Sequence, residues 1–200
     1  MNILELIEES HQVSKEKGFW DGNKNHSETV LLIIANVGDI VKANKKKKLA
    51  DWNSYSTATL SVPNVYEATF KDAFEKHIKD SFEDEIANVM IRICDFLGGT
   101  KVDIFDTQPW IRDYASLPLN EFFLHAQISG RYNGKLAEWL HNALWECSAY
   151  SKEGDHGLIH LLCYLGRIVS EMNIDIGRHI ETKLKYNKTR ALLYGRKKPL

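Results

Sequence analysis

The chain has 200 residues, of which 44% are hydrophobic and 26% are charged. This composition excludes a collagenous, disordered or disulfide-stapled chain, and the length allows a sizeable core. The formal net charge of −1 gives the whole molecule no bias toward polyanions. The three cysteines lie in apolar stretches and no apolar run approaches the ~18 residues of a membrane span. We therefore expect reduced thiols in a soluble, cytoplasmic protein without a membrane segment.

Helical periodicity dominates the sequence. Apolar residues recur at the spacing of one helix face in several stretches, whereas strand-like alternation is not convincing anywhere. This pattern predicts helices over residues 3–17, 27–44, 66–82, 82–97, 121–150, 155–172 and 177–186. Residues 50–66, rich in Ser, Thr and Asn, are predicted to form a surface loop, and 103–119, with two prolines, a connection. The predicted fold class is all-α.

Two of the predicted helices share a pattern of apolar residues. Residues 85–104 align without gaps to residues 157–176, and both segments end in Asp-Ile. Because any two amphipathic helices match to some degree, a true duplication and a chance likeness both stay open. A duplication would place two helical hairpins about an approximate two-fold axis.

Polar residues interrupt two of the apolar helices. Asn36 and Asp39 lie within the apolar run 31–41, and Glu85 and Asn88 lie on the helix predicted to begin at residue 82. Residues three apart share one helix face. Two such faces, opposed across a bundle, would offer oxygen ligands to Mg²⁺. The plainer interpretation is that these residues lie at the edge of a buried stripe.

Several blocks of sequence resemble a known family. They are Lys-Gly-Phe-Trp-Asp at 17–21, the apolar run 31–41, the segment 82–95, and a tail containing Tyr-Asn-Lys-Thr-Arg at 186–190. Their order and content resemble the MazG-like all-α nucleoside triphosphate pyrophosphohydrolases over roughly half of the chain. The resemblance implies a helical bundle that cleaves nucleoside triphosphates to monophosphate and pyrophosphate, usually as a dimer or tetramer.

The resemblance also implies a metal site that holds Mg²⁺. It places the ligands at four positions where the family carries acids: Asn36, Asp39, Glu85 and Asn88. Asp39 and Glu85 are the catalytic carboxylates that it implies. An amide oxygen can ligate Mg²⁺, but it brings no charge and cannot take a proton from water. We therefore expect the two amides to weaken metal binding.

The C-terminal segment 183–198 carries seven basic residues and no acidic one. Phosphate contacts and a solvated basic tail are both consistent with this asymmetry. The resemblance assigns nucleotide contacts to five residues: Lys183, Asn187, Lys188 and Arg190 at the phosphates, and Trp20 at the base. Because few stacking aromatics accompany the basic residues, we expect no nucleic-acid binding.

We predict a single all-α domain over residues 1–200, an enlarged MazG-like bundle. Residues 1–104 form a first family-like half, 105–173 the inserted or duplicated helices, and 174–200 the basic tail. Two functions stay open: a Mg²⁺-dependent nucleotide pyrophosphohydrolase with a degenerate metal site, and a catalytically inactive homologue that binds a nucleotide or a protein through the same cleft. We expect a homodimer or a single chain that mimics one.

Overall fold

A computed structural model describes residues 1–22, 25–60, 67–126, 134–149 and 155–192. Their regular structure is helical, with no strand in these ranges, so the all-α class is confirmed. The helices are α1 (Ile3–Glu16), α2 (His26–Lys45), α3 (Trp52–Leu60), α4 (Glu67–His77), α5 (Phe82–Thr100), α6 (Ile104–Thr107), α7 (Ile111–Tyr114), α8 (Leu119–Phe122), α9 (Leu136–Ala149), α10 (Asp155–Glu171) and α11 (Ile176–Thr189).

The central helix of the fold is α5. Ser81 caps it by accepting a hydrogen bond from the Asp84 backbone N–H at 3.2 Å. The acidic residues of the first turn suit the positive end of the helix dipole. Eleven of its residues are buried, and α1, α2, α10 and α11 all pack against it. A helix that is apolar on most sides is stable only when other helices cover it, so α5 fixes the positions of its neighbours.

The helices of the 105–173 segment belong to the same apolar core. The α10 helix packs against α9 and α5, and α9 also contacts α2. Buried side chains of α9 and α10, such as Leu140 and Leu162, form one cluster with those of α5. The extra helices therefore pack against the bundle. Among the described helices, none has both the length and the apolar content needed to span a bilayer.

A second, smaller apolar cluster joins α4 to α11. Its buried members are Phe70, Phe74, Ile78 and Tyr186. Trp52 and Tyr55 of α3 pack against this cluster, and the Asp51 carboxylate accepts from the Ser54 backbone N–H at 2.9 Å. The surface loop predicted over 50–66 is therefore wrong for residues 52–60, because a capped helix with two aromatic side chains forms there. Residues 61–66 lie outside the described ranges.

The single long helix predicted over 121–150 is also wrong. The α8 helix passes into a 3-10 turn (Phe123–His125) and ends at Ala126, whose ψ of 112° is extended; α9 begins at Leu136. This tighter turn buries the consecutive residues Phe122 and Phe123. Gly166 provides the space for Phe123, since a Cβ there would lie 2.1 Å from its Cδ1 atom. Residues 127–133 and 150 lie outside the described ranges.

We predict that His179 makes the fold sensitive to acid. Its side chain is only 4% exposed, and its Nε2 atom accepts a hydrogen bond from Trp52 Nε1 at 3.0 Å. Burial lowers its pKa to about 4. Between about pH 6.5 and pH 4, His179 binds a proton in the unfolded chain but not in the folded chain. The free energy of unfolding is therefore highest above about pH 6.5 and falls as the pH is lowered toward 4, by about 3 kcal/mol at most.

Urea denaturation of the full chain at several pH values measures this effect. The His179→Gln variant should show a shallower loss of unfolding free energy between pH 7 and 4, and the exposed His141→Gln variant serves as its matched control. Equal slopes for the His179→Gln variant and the unsubstituted protein would contradict the prediction.

Candidate functional site

A cleft of about 240 Å³ opens between α1, α2, α5 and α11. Four residues predicted from the sequence line it: Asn36 on α2, Asn88 on α5, Asn187 on α11, and Arg190 directly after α11. Apolar side chains, among them Val13 and Ile33, form the rest of its wall. The fold therefore brings together residues that lie more than 150 positions apart in the sequence.

The cleft contains buried polar atoms that lack a hydrogen-bond partner among the described residues. They are Ser10 Oγ, Asn36 Oδ1 and Asn187 Oδ1. Ser10 is 1% exposed and Asn187 is 5% exposed. An unsatisfied buried polar group costs about 1–3 kcal/mol, so these three residues are candidates for hydrogen bonds to water or to a bound molecule.

Two carboxylates lie one helical turn from the cleft lining. Asp39 follows Asn36 on α2, and its Oδ1 atom accepts from Lys42 Nζ at 2.8 Å. This hydrogen bond lowers the pKa of Asp39. Glu85 precedes Asn88 on α5 and is half-buried. Its pKa rises to about 7, first because of burial and then because of the nearby negative charges, which include Asp39. The two residues predicted to be catalytic are thus close enough to interact electrostatically.

Lys183 does not line the cleft but forms a buried ion pair. Its Nζ donates to Asp84 Oδ2 at 2.8 Å, and both side chains are buried. The carboxylates of Asp80, Asp84 and Glu85 lie within 4.8 Å of one another, a cluster that shares only Glu85 with the predicted metal ligands. The Lys183 ammonium already supplies a positive charge to this cluster, so its observed role is that of an internal ion pair.

Lys188 and Trp20 also contact protein groups rather than line the cleft. Lys188 Nζ donates to Glu9 Oε1 at 2.6 Å, which ties α11 to α1. Trp20 Nε1 donates to Asp95 Oδ1 at 2.6 Å, and it is Asp95 that lines the cleft. Trp20 therefore supports the site through Asp95. Residues 193–198 of the basic segment lie outside the described ranges.

Asp95 was missed by the sequence reasoning. Besides the Trp20 bond, its Oδ2 atom accepts from Ser14 Oγ at 2.8 Å. Arg92 lines the same cleft. Positions 88, 92 and 95 follow one another at four- and three-residue spacing, which puts them on one face of α5. This helical spacing, counted forward from Asn88, identifies both Arg92 and Asp95 as neighbours of Asn88.

The described residues form an all-α fold with a cleft of mixed polar and apolar lining between four helices. No family model, curated protein or solved structure matches the chain.

We predict that Gly99 is required to seat Trp20. A Cβ at residue 99 would lie 1.7 Å from Trp20 Cη2, so the Gly99→Ala variant must displace the indole and break its bond to Asp95. Overpacking of this kind costs about 1–3 kcal/mol. Urea denaturation measures the loss, and tryptophan fluorescence reports the displaced ring.

The matched control is Gly177→Ala, since a Cβ at that helical glycine meets its nearest atom at 3.7 Å, an ordinary contact. Gly177→Ala should leave stability within about 0.5 kcal/mol of the original. Equal stabilities for the two variants would refute the seating role of Gly99.

We predict that Lys183 stabilises the fold through Asp84. The Lys183→Met variant leaves a buried carboxylate without its cation, which costs about 3–5 kcal/mol. The double variant Lys183→Met with Asp84→Asn removes the unpaired charge and should recover part of that loss. Denaturation of both variants measures the coupling. If Lys183→Met keeps full stability while nucleotide binding falls more than tenfold, the phosphate role implied by the family resemblance is correct instead.

Proposed function

We propose that the cleft binds a nucleoside triphosphate and that the protein is a MazG-like nucleotide pyrophosphohydrolase with a degenerate Mg²⁺ site. The observation that carries this proposal is the convergence of Asn36, Asn88, Asn187 and Arg190 on one cleft that holds unsatisfied polar atoms. Two carboxylates, Asp39 and Glu85, adjoin it. These are the positions at which the family resemblance implies metal and phosphate contacts.

The donor atoms fit a hard cation such as Mg²⁺, which prefers oxygen ligands. Asn36 Oδ1 is buried and lacks a partner among the described residues. The residues that would hold the ion are Asn36, Asp39, Glu85 and Asn88. When bound, Mg²⁺ would supply positive charge that neutralises the phosphates. With two carboxylates in place of four, we expect the affinity for the ion to be low.

The protein groups around the cleft have distinct tasks in the proposed reaction. The Arg190 guanidinium is suited to paired hydrogen bonds with phosphate oxygens. Glu85, a half-buried carboxylate next to the cleft lining, is suited to accept a proton from water. The oxygen of that water bonds to the α-phosphorus, the bond to the bridging oxygen breaks, and pyrophosphate leaves. The proton is taken by a Glu85 carboxylate oxygen, and the nucleoside monophosphate remains.

A second candidate function is nucleotide binding without hydrolysis. It is favoured by the two amides at Asn36 and Asn88, and by the bond that ties the Asp39 carboxylate to Lys42. Under this alternative the cleft would hold the nucleotide through Asn187 and Arg190 and would not need a metal.

We predict that the purified chain releases pyrophosphate from a panel of ribo- and deoxyribonucleoside triphosphates with Mg²⁺, and that EDTA abolishes the release. The double variant Asn36→Glu with Asn88→Asp restores four acids and should raise the rate at least tenfold. Glu85→Gln should lower it about 100-fold, the effect of removing a general base. The matched control is Glu83→Gln on the same helix, which retains an oxygen to accept from the Ala50 N–H.

Absence of release from both the original chain and the four-acid variant would refute the enzymatic proposal. Calorimetric titration with a non-hydrolysable triphosphate analogue then tests the second candidate. Binding in EDTA that weakens about tenfold in Asn187→Ala, the worth of one hydrogen bond, and is unchanged in the exposed Asn53→Ala would support it.

A further inference from the structure

The Asp95 carboxylate is fixed in one orientation beside the cleft. It lies on α5, lines the cleft and is 15% exposed. Trp20 Nε1 donates to its Oδ1 atom and Ser14 Oγ donates to its Oδ2 atom, while His11 Nδ1 lies 3.4 Å from Oδ1. Because each oxygen is held by a different donor, the carboxylate cannot turn without breaking one of these hydrogen bonds. A polar group that is held in this way can select a ligand by geometry.

A carboxylate restricts which part of a nucleotide can lie beside it. When ionised it accepts hydrogen bonds and donates none, so it pairs with the N–H or O–H groups of a ligand. Phosphate oxygens are acceptors as well, and two like charges at contact distance repel each other. We therefore expect the Asp95 end of the cleft to receive an uncharged part of the nucleotide that carries hydrogen-bond donors, and the phosphates to lie away from it.

The length of α5 separates Asp95 from the proposed phosphate site. Asn88 belongs to the proposed metal and phosphate contacts, and Asp95 follows it by seven residues on the same helix face. At about 1.5 Å per residue the two positions are about 10 Å apart along the helix axis, which is close to the length of a nucleoside. Phe19, which also lines the cleft, directly precedes Trp20. An aromatic side chain and a fixed polar group are the features with which proteins bind bases, so the base of the nucleotide fits the Asp95 end.

We propose that Asp95 selects nucleobases with an amino group at their hydrogen-bonding edge, such as cytosine and adenine, against uracil and thymine. This inference rests on the proposed nucleotide site and names the substrate class of that site. The amino group donates to the carboxylate, whereas uracil and thymine carry a carbonyl oxygen at the corresponding position. Their one N–H donor at this edge lies between two carbonyl oxygens. A carbonyl oxygen that faces the carboxylate leaves both groups without a hydrogen bond.

Calorimetric titration of the full chain in Mg²⁺ tests the proposal with non-hydrolysable analogues of dCTP and dUTP, whose bases differ only at position 4. We expect the cytosine analogue to bind about tenfold more tightly, the worth of one hydrogen bond. Asp95→Asn keeps the shape of the side chain but adds an N–H donor that can pair with a carbonyl oxygen. Its preference for cytosine should fall below about threefold, whereas the exposed Asp72→Asn on α4 should keep the full preference.

Inorganic triphosphate, which has no base, separates this inference from the proposed function. Its affinity should be the same in Asp95→Asn as in the unsubstituted chain, and circular dichroism checks that the variant folds. The comparison of the two bases needs no substitution, so it decides the matter even where the variant does not fold. Equal binding of the two analogues, or a full preference for cytosine in folded Asp95→Asn, would overturn the role of Asp95 and leave the nucleotide site standing. Failure of every nucleotide analogue to bind would overturn both.

Discussion

The burial of α5 is the constraint on which the rest of the structure depends. Four helices must cover its apolar sides, and the positions that they leave open are those with polar side chains. Asn88, Arg92 and Asp95 form this polar edge, and all three line the cleft. The cleft is therefore a consequence of how α5 is packed. Its polar residues lie on the same helix as buried core residues such as Ile86 and Met90, whose packing restrains rotation of that helix.

Buried polar groups in this fold differ in whether they are paired with another protein group. Asp84 and Lys183 form an ion pair in the interior, so two charges that would be costly alone are held together. Ser10 and Asn187 are equally buried but have unsatisfied atoms, and both line the cleft. Asp84 Oδ1 also lacks a partner among the described residues, so an unsatisfied atom alone does not distinguish the cleft from the interior. Asn187 and Lys183, four residues apart on α11, nevertheless differ, because only Asn187 lines the cleft.

Periodicity was sufficient to predict the fold class and most of the long helices, because those helices bury a regular stripe. It failed for α3, where a sequence rich in Ser and Thr is helical because Trp52 and Tyr55 pack against α4 and α11. The family resemblance groups Asn36, Asn88, Asn187 and Arg190, and the structure places all four at one cleft; their role in binding stays a prediction. The buried position of Lys183 could not be predicted from the sequence, because the sequence does not show that Asp84 lies opposite it. The contact of Trp20 with a base stays a prediction, since Trp20 bonds to Asp95, which lines the cleft.

The sides of α2 have different surroundings, which explain part of its amino-acid composition. Ile33, Val37 and Ile40 are buried in the core, while Thr29, Leu32 and Asn36 line the cleft. Neither of these tasks requires a small residue at Ala35 or Gly38, or a large apolar one at Leu31. Glycine within a helix costs about 0.5–1 kcal/mol relative to alanine, and an exposed leucine gains nothing from burial. Neither the core nor the cleft therefore accounts for these two features of α2.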